Sequence, residues 1–556
     1  MDEEFVVRSP IGMDPVEIPN ISFPDFVLAK VEKNLPLLGQ KPWLIDTASG
    51  NTVYFSEVES KTRKIASFLA RNGFKKGDVL HFVTYRTAFS CLIQFAVWRL
   101  GGVTRGSYQA EIIESYEGVL KETKCKFVMV DDETGHLLQA AIGGLDWKVT
   151  LITIGDRLLR GAITLAEILE DDGTAFPKSI PIDPKEDLMC IFNTSGTTGK
   201  PKGVLHSHYS TIAILTSFHG LKCMPTKSFM ASTSNFGVVN FVHGFLALCQ
   251  GCTFYHIAKY EQSNFFDLIF HYKPSNIILY PYVATWFAKC SAELTEIKAM
   301  DILESISITG WVLDYATTNL LVHQLPKTML ITMYGLSECF HVSVGSYNEA
   351  GKLPPIDFEG GKSVSSGKLI PMYEAKVVDP ESRDNLPVGA KGEILVRSPT
   401  MMLGYLVPGG QPNRADIDKH GWLKTGDIGY FDKDGNIYIQ ERIKFIFKYF
   451  MRMVSPSEIE SVLQEHPDVV SAGVVGVPDP ESTCLARALV VLRPGKERNA
   501  KELYNFVADR LPNYKHLHGG VHFVEKLPVN AAGKMDRKTL MAMAIDKELS
   551  GFSTEF

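Results

Sequence analysis

Apolar residues along the chain recur with the spacing of a helix and are followed by short apolar runs typical of buried strands. Residues 55–73 carry apolar positions on one helical face, which predicts an amphipathic helix, and residues 79–83 then form the apolar run of a strand. The same order of helix, turn and strand recurs over residues 111–132, with the strand at residues 128–130. This alternation predicts an α/β fold with largely parallel sheets.

The pattern changes near residue 367, after which short runs of β-forming residues are separated by Gly, Asp and Pro. These runs are residues 374–378, 392–396 and 436–439. Runs of this length and spacing are typical of a β-rich unit. We therefore predict a β-rich subdomain over about residues 367–441.

The C-terminal part has the pattern of a separate small domain. A helix begins at Pro456, and two later apolar runs, at residues 469–477 and 486–492, predict strands. We predict an N-terminal domain over residues 1–441 and a small α+β domain over residues 442–556. The boundary between them is placed near Arg442.

The composition is that of an ordinary folded protein and disfavours several classes of function. The 556 residues are 45% hydrophobic and 22% charged, with a net charge of −6 and a pI of about 6.2. This balance argues against a broad basic surface for nucleic acid. The sequence contains no run of eighteen apolar residues, so it predicts no transmembrane helix. The acidic N-terminus and a C-terminus other than Ser-Lys-Leu favour the cytoplasm. The oligomeric state has no signature in the sequence.

The stretch Thr-Ser-Gly-Thr-Thr-Gly-Lys-Pro-Lys-Gly-Val at residues 194–204 has the chemistry of a polyphosphate-binding loop. Glycines let main-chain N–H groups turn toward an anion, and hydroxyls and lysines add donors and positive charge. It is not a Walker A loop, which has four residues between its first glycine and a Gly-Lys-Ser/Thr sequence. Here two residues separate Gly196 from Gly199, and a proline follows Lys200. The alternative is a flexible surface turn. The residues expected to bind phosphate are Thr194, Ser195, Gly196, Thr197, Thr198, Gly199, Lys200 and Lys202.

Further short motifs carry groups suited to a nucleotide. Tyr-Gly-Leu-Ser-Glu at residues 334–338 offers an aromatic face, a hydroxyl and a carboxylate. Asp427 lies on a predicted turn, where its carboxylate can accept both hydroxyls of a ribose. Arg442 follows a predicted strand, and Lys534 lies on a Gly-containing loop. Each motif alone is weak evidence, because a lone Thr-Gly-Asp or Gly-Lys is usually a surface turn.

In this order and spacing the motifs resemble those of the acyl-adenylate-forming superfamily, which includes acyl- and aryl-CoA ligases, beetle luciferases and peptide-synthetase adenylation domains. The resemblance covers about residues 40–540, and residues 392–427 are most similar to coumarate–CoA ligases and luciferases. It implies a large domain of two α/β subdomains plus a β-barrel, and a small mobile α+β lid. It also implies that the protein uses ATP, Mg²⁺ and coenzyme A. A carboxylic acid is then expected to be activated as an acyl-adenylate before a thiol takes the acyl group.

The resemblance implies a role for each group near the phosphates. The loop at residues 194–202 holds the β- and γ-phosphates that leave as pyrophosphate. Glu338 is the expected Mg²⁺ ligand, and Ser337 lies beside the α-phosphate. Lys534 stabilises the negative charge that develops on the α-phosphate oxygens once the lid has closed.

The resemblance also implies roles at the nucleoside. Tyr334, which precedes Gly335, is expected to stack on the adenine. Asp427 is expected to bind the ribose hydroxyls. Arg442 is expected to assist at the ribose and to mark the hinge of the lid.

Two positions near the expected acyl pocket depart from the family pattern. Trp311 follows Gly310 where the family has a small residue, so it either fills the pocket and selects a short acid or turns into the core. Phe236 stands where the family has a histidine or an aromatic gate. His341 is a further candidate for the pocket wall.

The hinge stretch departs from the pattern as well. Met451 replaces a glycine that lines the path of the pantetheine thiol in the family, so its side chain is expected to narrow that path. Lys448 matches a lysine that assists oxidation in luciferases. Because many non-luminous ligases share this lysine, it does not favour light emission.

The leading hypothesis is an AMP-forming acid–CoA ligase. The alternative is a divergent member that binds ATP or acyl-adenylate without efficient thioester formation, and Trp311 and Met451 favour it. A luciferase-type monooxygenase is a lesser alternative. The retained residues that favour activity are Glu338, Asp427, Arg442 and Lys534.

Overall fold

The structure is a computed structural model of a mixed α/β chain. The residues that it describes are 3–10, 17–85, 88–107, 113–157, 159–194, 202–219, 221, 227–231, 237–345, 352–357, 362–530 and 534–546. A large N-terminal part holds three main sheets, and a small C-terminal part holds a further sheet. This arrangement confirms the predicted fold class.

The first sheet is built from strand–helix–strand units. Its central strands are parallel, because helices carry the chain back across the sheet between them. The strands that follow the phosphate-loop sequence are antiparallel additions at one edge. In spatial order the strands are Gly404–Tyr405, Lys202–Ser207, Leu188–Thr194, Val103–Gly106, Val79–Val83, Phe127–Val130, Thr150–Thr153 and Ile163–Thr164.

The second sheet follows the same principle. Its central strands are parallel, and antiparallel strands complete both edges. In spatial order the strands are Lys368–Leu369, Phe340–Val344, Met329–Leu336, Ser305–Thr309, Asn276–Leu279, Ser228–Ala231, Thr253–His256, Pro42–Asp46 and Thr52–Tyr54.

Helices connect and cover these two sheets. The predicted amphipathic helix is Val58–Arg71, which buries Val58, Ile65 and Leu69 and ends just before Gly73 at φ 84°. Glycine adopts this left-handed conformation without the steric cost that a side chain brings. The helices are Phe23–Leu38, Val58–Arg71, Ala88–Arg99, Ile113–Thr123, Gly135–Gly143, Leu165–Leu169, His208–His219, Val238–Gln250, Gln262–Tyr272, Pro281–Ala288, Ser291–Met300 and Tyr315–Gln324, with 3-10 turns at Glu3–Phe5 and Phe55–Glu57.

The predicted β-rich subdomain forms an antiparallel sheet. Burial alternates along much of strands Glu374–Val378 and Leu423–Phe431, as in a sheet with one face on the core. Strands Gly392–Arg397 and Ile437–Arg442 are buried along nearly their whole length. Its strands are Val7–Arg8, Glu374–Val378, Asn385–Leu386, Gly392–Arg397, Leu423–Phe431 and Ile437–Arg442, and a separate pair joins Ile356–Asp357 to Ser363–Val364.

The small domain has its own apolar core. The 3-10 turn Ile443–Phe445 leads into it, and Pro456 occupies the first turn of its first helix, where a missing N–H costs nothing. Its strands are Phe447–Tyr449, Arg452–Val454, Val469–Asp479, Thr483–Leu492 and Val521–Phe523, and its helices are Pro456–Gln464, Ala500–Ala508 and Arg537–Ile545, with a 3-10 turn at Asn513–Lys515.

The core of the large part is aromatic where its helices meet. Phe23 lies 5.5 Å from both Trp98 and Phe241 between ring centroids, and 5.3 Å from Phe245. Pairs at these separations stabilise a core beyond their buried area. Within the described ranges, every helix is too short or too polar to cross a membrane.

Candidate active site

A cleft of about 1700 Å³ lies where the large sheets, the β-rich sheet and the small domain meet. Most of the described residues that the sequence singles out line this cleft. They are Thr194, Lys202, Gly310, Trp311, Tyr334, Gly335, Ser337, Glu338, His341, Asp427, Arg442 and Lys534. Residues 195–200 of the phosphate loop and Phe236 lie outside the described residues, so their predicted roles stay predictions.

Parallel strand ends bring the first groups together. Strand Ser305–Thr309 lies beside strand Met329–Leu336 in parallel register. Both strands therefore end at the same edge, where Gly310 follows the first strand and the 334–338 motif spans the end of the second. Ligands of open α/β sheets bind at this carboxyl edge. The carbonyl of Ser337 accepts a hydrogen bond from His206 Nε2 at 2.8 Å, which fixes the turn.

Asp427 is held between an aromatic hydroxyl and a guanidinium. Tyr334 donates its hydroxyl to Asp427 Oδ2 at 2.7 Å, and Arg442 Nε contacts Asp427 Oδ1 at 2.7 Å. Asp427 and Arg442 are direct partners on neighbouring antiparallel strands. Burial raises the pKa of Asp427, while Arg442 and Tyr334 oppose that shift. The charge of Asp427 in turn raises the pKa of Arg442.

Glu338 faces the cleft with one oxygen engaged. Tyr405 donates its hydroxyl to Glu338 Oε1 at 2.9 Å, and Lys202 Nζ lies 4.8 Å from the centroid of the Tyr405 ring. The backbone of Glu338 is also held, because its carbonyl accepts from the N–H of Met402 at 2.8 Å. The carboxylate is therefore held by Tyr405 at the lining of the cleft.

A divalent cation is compatible with this geometry. Mg²⁺ is usually held by one or two carboxylates together with substrate phosphates rather than by a complete protein cage. Among the described residues no cluster of three His, Cys, Asp or Glu side chains could hold a metal alone. Glu338 beside the predicted phosphate loop is a donor of the expected kind, so the residues present fit Mg²⁺ shared with a nucleotide.

Lys534 enters the cleft from the small domain. A side chain added at Gly310 would place its Cβ 3.5 Å from Lys534 Cε and 2.7 Å from the ring of Tyr280, so glycine makes room for both groups. The backbone of Lys534 is held by Asn530, whose Oδ1 accepts from the Lys534 N–H at 3.0 Å. Burial lowers the pKa of Lys534 to about 8, with Arg442 adding to the shift.

Trp311 does not turn into the core. Its half-buried ring lies 5.9 Å from the ring of Phe445 between centroids, and the guanidinium of Arg537 lies 5.7 Å from the Trp311 ring. The core alternative is therefore wrong, because the side chain packs between the large domain, the hinge and the small domain. Trp311 forms part of the cleft wall at this junction.

Lys448 and Met451 do not reach the cleft. They belong to the hairpin formed by strands Phe447–Tyr449 and Arg452–Val454. Met451 at its tip is 91% exposed, and Phe450 beside it adopts a positive φ of 51°. In this orientation of the small domain the hairpin faces solvent, so the narrowing of the thiol path by Met451 stays a prediction.

The structure adds residues that the sequence patterns gave no role. Tyr405 holds Glu338, and Tyr280 contacts the side chain of Lys534. The buried Glu441 accepts from the backbone N–H and the hydroxyl of Ser457 at 3.2 and 2.6 Å, which anchors the hinge to the first small-domain helix. The sequence carries no local signal of these pairs, whose partners are 67 residues apart for Glu338 and Tyr405 and 16 residues apart for Glu441 and Ser457.

Family models match both parts of the chain. The model described as AMP-binding enzyme matches residues 32–406, and the model of the AMP-binding enzyme C-terminal domain matches residues 458–534. The chain belongs to the AMP-binding enzyme family. The predicted resemblance to acyl-adenylate-forming enzymes is thereby confirmed, whereas the domain boundary near Arg442 stays a prediction.

Curated and solved relatives of this AMP-binding enzyme agree with that assignment. It is 27% identical to 4-coumarate--CoA ligase-like 1 of Arabidopsis thaliana over 97% of each chain. It is 33% identical to luciferin 4-monooxygenase of Nipponoluciola cruciata over 65% of each chain. Its fold matches a crystal structure of an anthranilate CoA ligase in complex with anthranoyl-AMP, with a TM-score of 0.80, 23% identity and coverage of 96% of this chain and 99% of the other.

Proposed function

We propose that this AMP-binding enzyme is an ATP-dependent acid–CoA ligase. In the first step a carboxylate oxygen attacks the α-phosphorus of ATP, the bond to the bridging oxygen breaks, and pyrophosphate leaves. In the second step the thiol of coenzyme A attacks the acyl carbon, forms a thioester and releases AMP. The observation that carries this proposal is Lys534, which the small domain places beside Gly310 in the same cleft as Glu338 and Asp427.

The first step places negative charge where the cleft has cations. The α-phosphate oxygens gain charge in the transition state, and Lys534 is the residue that would meet them. A positioned charge in a cleft that excludes water is worth a few kcal/mol of barrier, roughly 3 by analogy with single oxyanion donors. Mg²⁺ bound at Glu338 would neutralise charge on the phosphates. Lys202, next to the phosphate-loop sequence, adds a further cation.

The nucleoside side of the cleft suits AMP. Asp427 is fixed by Tyr334 and Arg442, yet a carboxylate has about four acceptor sites and retains capacity for ribose hydroxyls. Tyr334 would present its ring to the adenine. Because these partners are already in place, little side-chain ordering remains to be done when the nucleotide binds.

The second step requires a different orientation of the small domain. Lys534 occupies the cleft, while the hairpin carrying Met451 faces solvent, so the present orientation suits adenylation. Turning about the hinge near Arg442 would withdraw Lys534 and bring the hairpin toward the acyl-adenylate. Gating of this kind is a common use of a mobile domain.

The test is acid-dependent exchange of labelled pyrophosphate into ATP, measured together with CoA-thioester formation. Acetate, decanoate and 4-coumarate represent short-chain, fatty and aryl acids. Exchange together with thioester is the expected result, and the most active acid assigns the substrate class. Absence of exchange with every acid, in protein that binds ATP, would overturn the ligase proposal.

A second candidate is a family member that forms the adenylate without efficient thioester transfer. The observation that favours it is the exposed methionine at the hairpin tip, where the family pattern has a glycine. Exchange without thioester is the result that would favour this candidate. Light emission from a supplied luciferyl-adenylate and oxygen would instead favour a monooxygenase.

A further inference from the structure

Two lysines of the large domain bond to the small domain outside the cleft. Lys289 Nζ donates to the carbonyl oxygens of Val469 at 2.8 Å and Val470 at 3.0 Å. Lys362 Nζ pairs with the carboxylate of Glu465 at 2.8 Å. The three acceptors lie where the first helix of the small domain connects to its first long strand. The two lysines therefore tie one edge of the small domain to the large domain.

The carbonyl of Val470 is open to a donor from outside because the strand ladder is irregular there. Val469 pairs with Leu492 and Ser471 pairs with Val491, so the ladder skips Val470. A carbonyl that the ladder skips needs another donor when a neighbouring domain covers it. The Gln464 amide nitrogen donates to this carbonyl from within the small domain at 3.2 Å, and Lys289 adds a second, charged donor from the large domain. Hydrogen bonds from charged donors are stronger than neutral ones.

One helix of the large domain links these contacts to the cleft. Helix Pro281–Ala288 ends immediately before Lys289. Tyr280 immediately precedes the same helix, and Lys534 Nζ lies 6.0 Å from the centroid of the Tyr280 ring. The two residues that flank this helix therefore both face the small domain: the Tyr280 ring lies near Lys534, and Lys289 donates to the carbonyl of Val469.

The small domain provides the matching rigid connection. The strand that starts at Val469 continues to Val474, whose carbonyl accepts from Arg537 at 2.8 Å. Arg537 also pairs with Glu460, with 2.9 Å between Arg537 Nη2 and Glu460 Oε2. Arg537 lies three residues after Lys534 in the chain. A shift of the strand edge is therefore passed to the segment that carries Lys534.

We propose that Lys289 and Lys362 are positioning residues that hold the small domain in its adenylation orientation, with Lys534 in the cleft, and that both contacts separate before the thiol step. The catalytic consequence rests on the proposed function. The two contacts themselves rest on geometry alone, so they are testable without any substrate.

The first experiment is amide hydrogen–deuterium exchange on the full chain without substrates. Lys289→Met keeps the length of the side chain and removes its charge. We expect exchange of residues 464–472 to become about tenfold faster, which corresponds to about 1.4 kcal/mol. Lys227→Met is the matched control, because Lys227 pairs with Glu304 at 2.6 Å within the large domain. Exchange at residues 464–472 that is unchanged in Lys289→Met would overturn the proposal.

The second experiment separates positioning from folding. The assay uses ATP and whichever of acetate, decanoate or 4-coumarate supports pyrophosphate exchange. In this assay the rate of pyrophosphate exchange into ATP should be about tenfold lower in Lys289→Met than in the wild type. Transfer from the corresponding preformed acyl-adenylate to coenzyme A should be as fast as in the wild type or faster. Lys289→Arg should restore the rate of pyrophosphate exchange, because a guanidinium can also donate to two carbonyls. Equal loss of both half-reactions would identify a folding role and reject positioning.

Lys362→Met covers the case in which Lys289→Met fails to fold. Its pair is partly exposed, so the variant should fold, with a smaller increase of exchange over the same segment. An unchanged segment in a folded Lys362→Met would remove Lys362 from the proposal. Wild-type protein without pyrophosphate exchange would reject the ligase function, whereas the hydrogen-exchange result would still decide the positioning role.

Discussion

Arg442 and Asp427 lie opposite each other on neighbouring antiparallel strands, and their side chains meet at 2.7 Å between Nε and Oδ1. This pair connects two functions that sequence motifs present separately. Asp427 belongs to the floor of the cleft, and Arg442 is the last residue of its strand before the turn that leads into the small domain. A nucleotide that bound Asp427 as predicted would therefore be one ion pair away from the segment that leads into the small domain.

Removing the hydroxyl of Tyr334 should weaken nucleotide binding. Tyr334→Phe leaves the ring in place and takes away the donor to Asp427 Oδ2. A buried hydrogen bond to a charged group is worth about 1.5–3 kcal/mol. We expect the Kd of ATP, measured by calorimetry, to rise by roughly tenfold. Tyr438→Phe, on the strand that ends at Arg442, is the control. Equal affinity for ATP in Tyr334→Phe and wild type would contradict the ordering role of this bond.

Removing the amine of Lys534 should stop adenylation while ATP still binds. Lys534→Ala takes away the small-domain amine that lies beside Gly310. We expect pyrophosphate exchange to fall by roughly 10²–10³-fold, as for loss of a group that acts in the transition state. Lys526 is an exposed lysine nearby in the chain, so Lys526→Ala should catalyse pyrophosphate exchange at the wild-type rate. Wild-type exchange by Lys534→Ala would refute the role given to this lysine.

The pKa of Lys534 predicts a loss of adenylation at alkaline pH. Burial lowers this pKa to about 8, so the side chain is charged below pH 8 and loses its proton as the pH rises through that value. Because kcat/KM reports groups of the free enzyme, its value for ATP should fall about tenfold for each pH unit above 8. Lys534→Arg retains its charge throughout this range, so any activity of that variant should not show the same decline. A profile that is flat to pH 10 in the wild type would contradict this assignment.

Met451→Gly should increase CoA-dependent turnover without affecting pyrophosphate exchange. Met451 is 91% exposed at the hairpin tip, so its replacement removes no packing from the core. If the tip lines the thiol path after the small domain turns, the loss of a long side chain opens that path. Met453→Gly, 54% exposed on the following strand, is the control. Thioester formation that stays at the wild-type rate in Met451→Gly would reject the idea of a narrowed path.

The local pattern predicted the elements well because periodicity is a property of neighbouring residues. The helix expected within residues 55–73 is Val58–Arg71, and the strands expected at 79–83 and 374–378 match the structure. The strand expected at residues 469–477 extends to Asp479. The side-chain position of Trp311 was not predictable, because it depends on Phe445 and Arg537, which reach it only when the hinge and the small domain are in place.

The sequence by itself determined the family, the order of the motifs and the residue types that can bind phosphate, ribose and Mg²⁺. These follow from residue identity and spacing, which do not depend on how distant segments pack. The tertiary structure decided which groups meet: Tyr405 with Glu338, 67 residues apart, and Lys289 with the carbonyl of Val469, 180 residues apart. The first pair forms when distant segments of the large domain pack together, and the second forms when the small domain docks, because the chain between the partners carries no local signal of either contact.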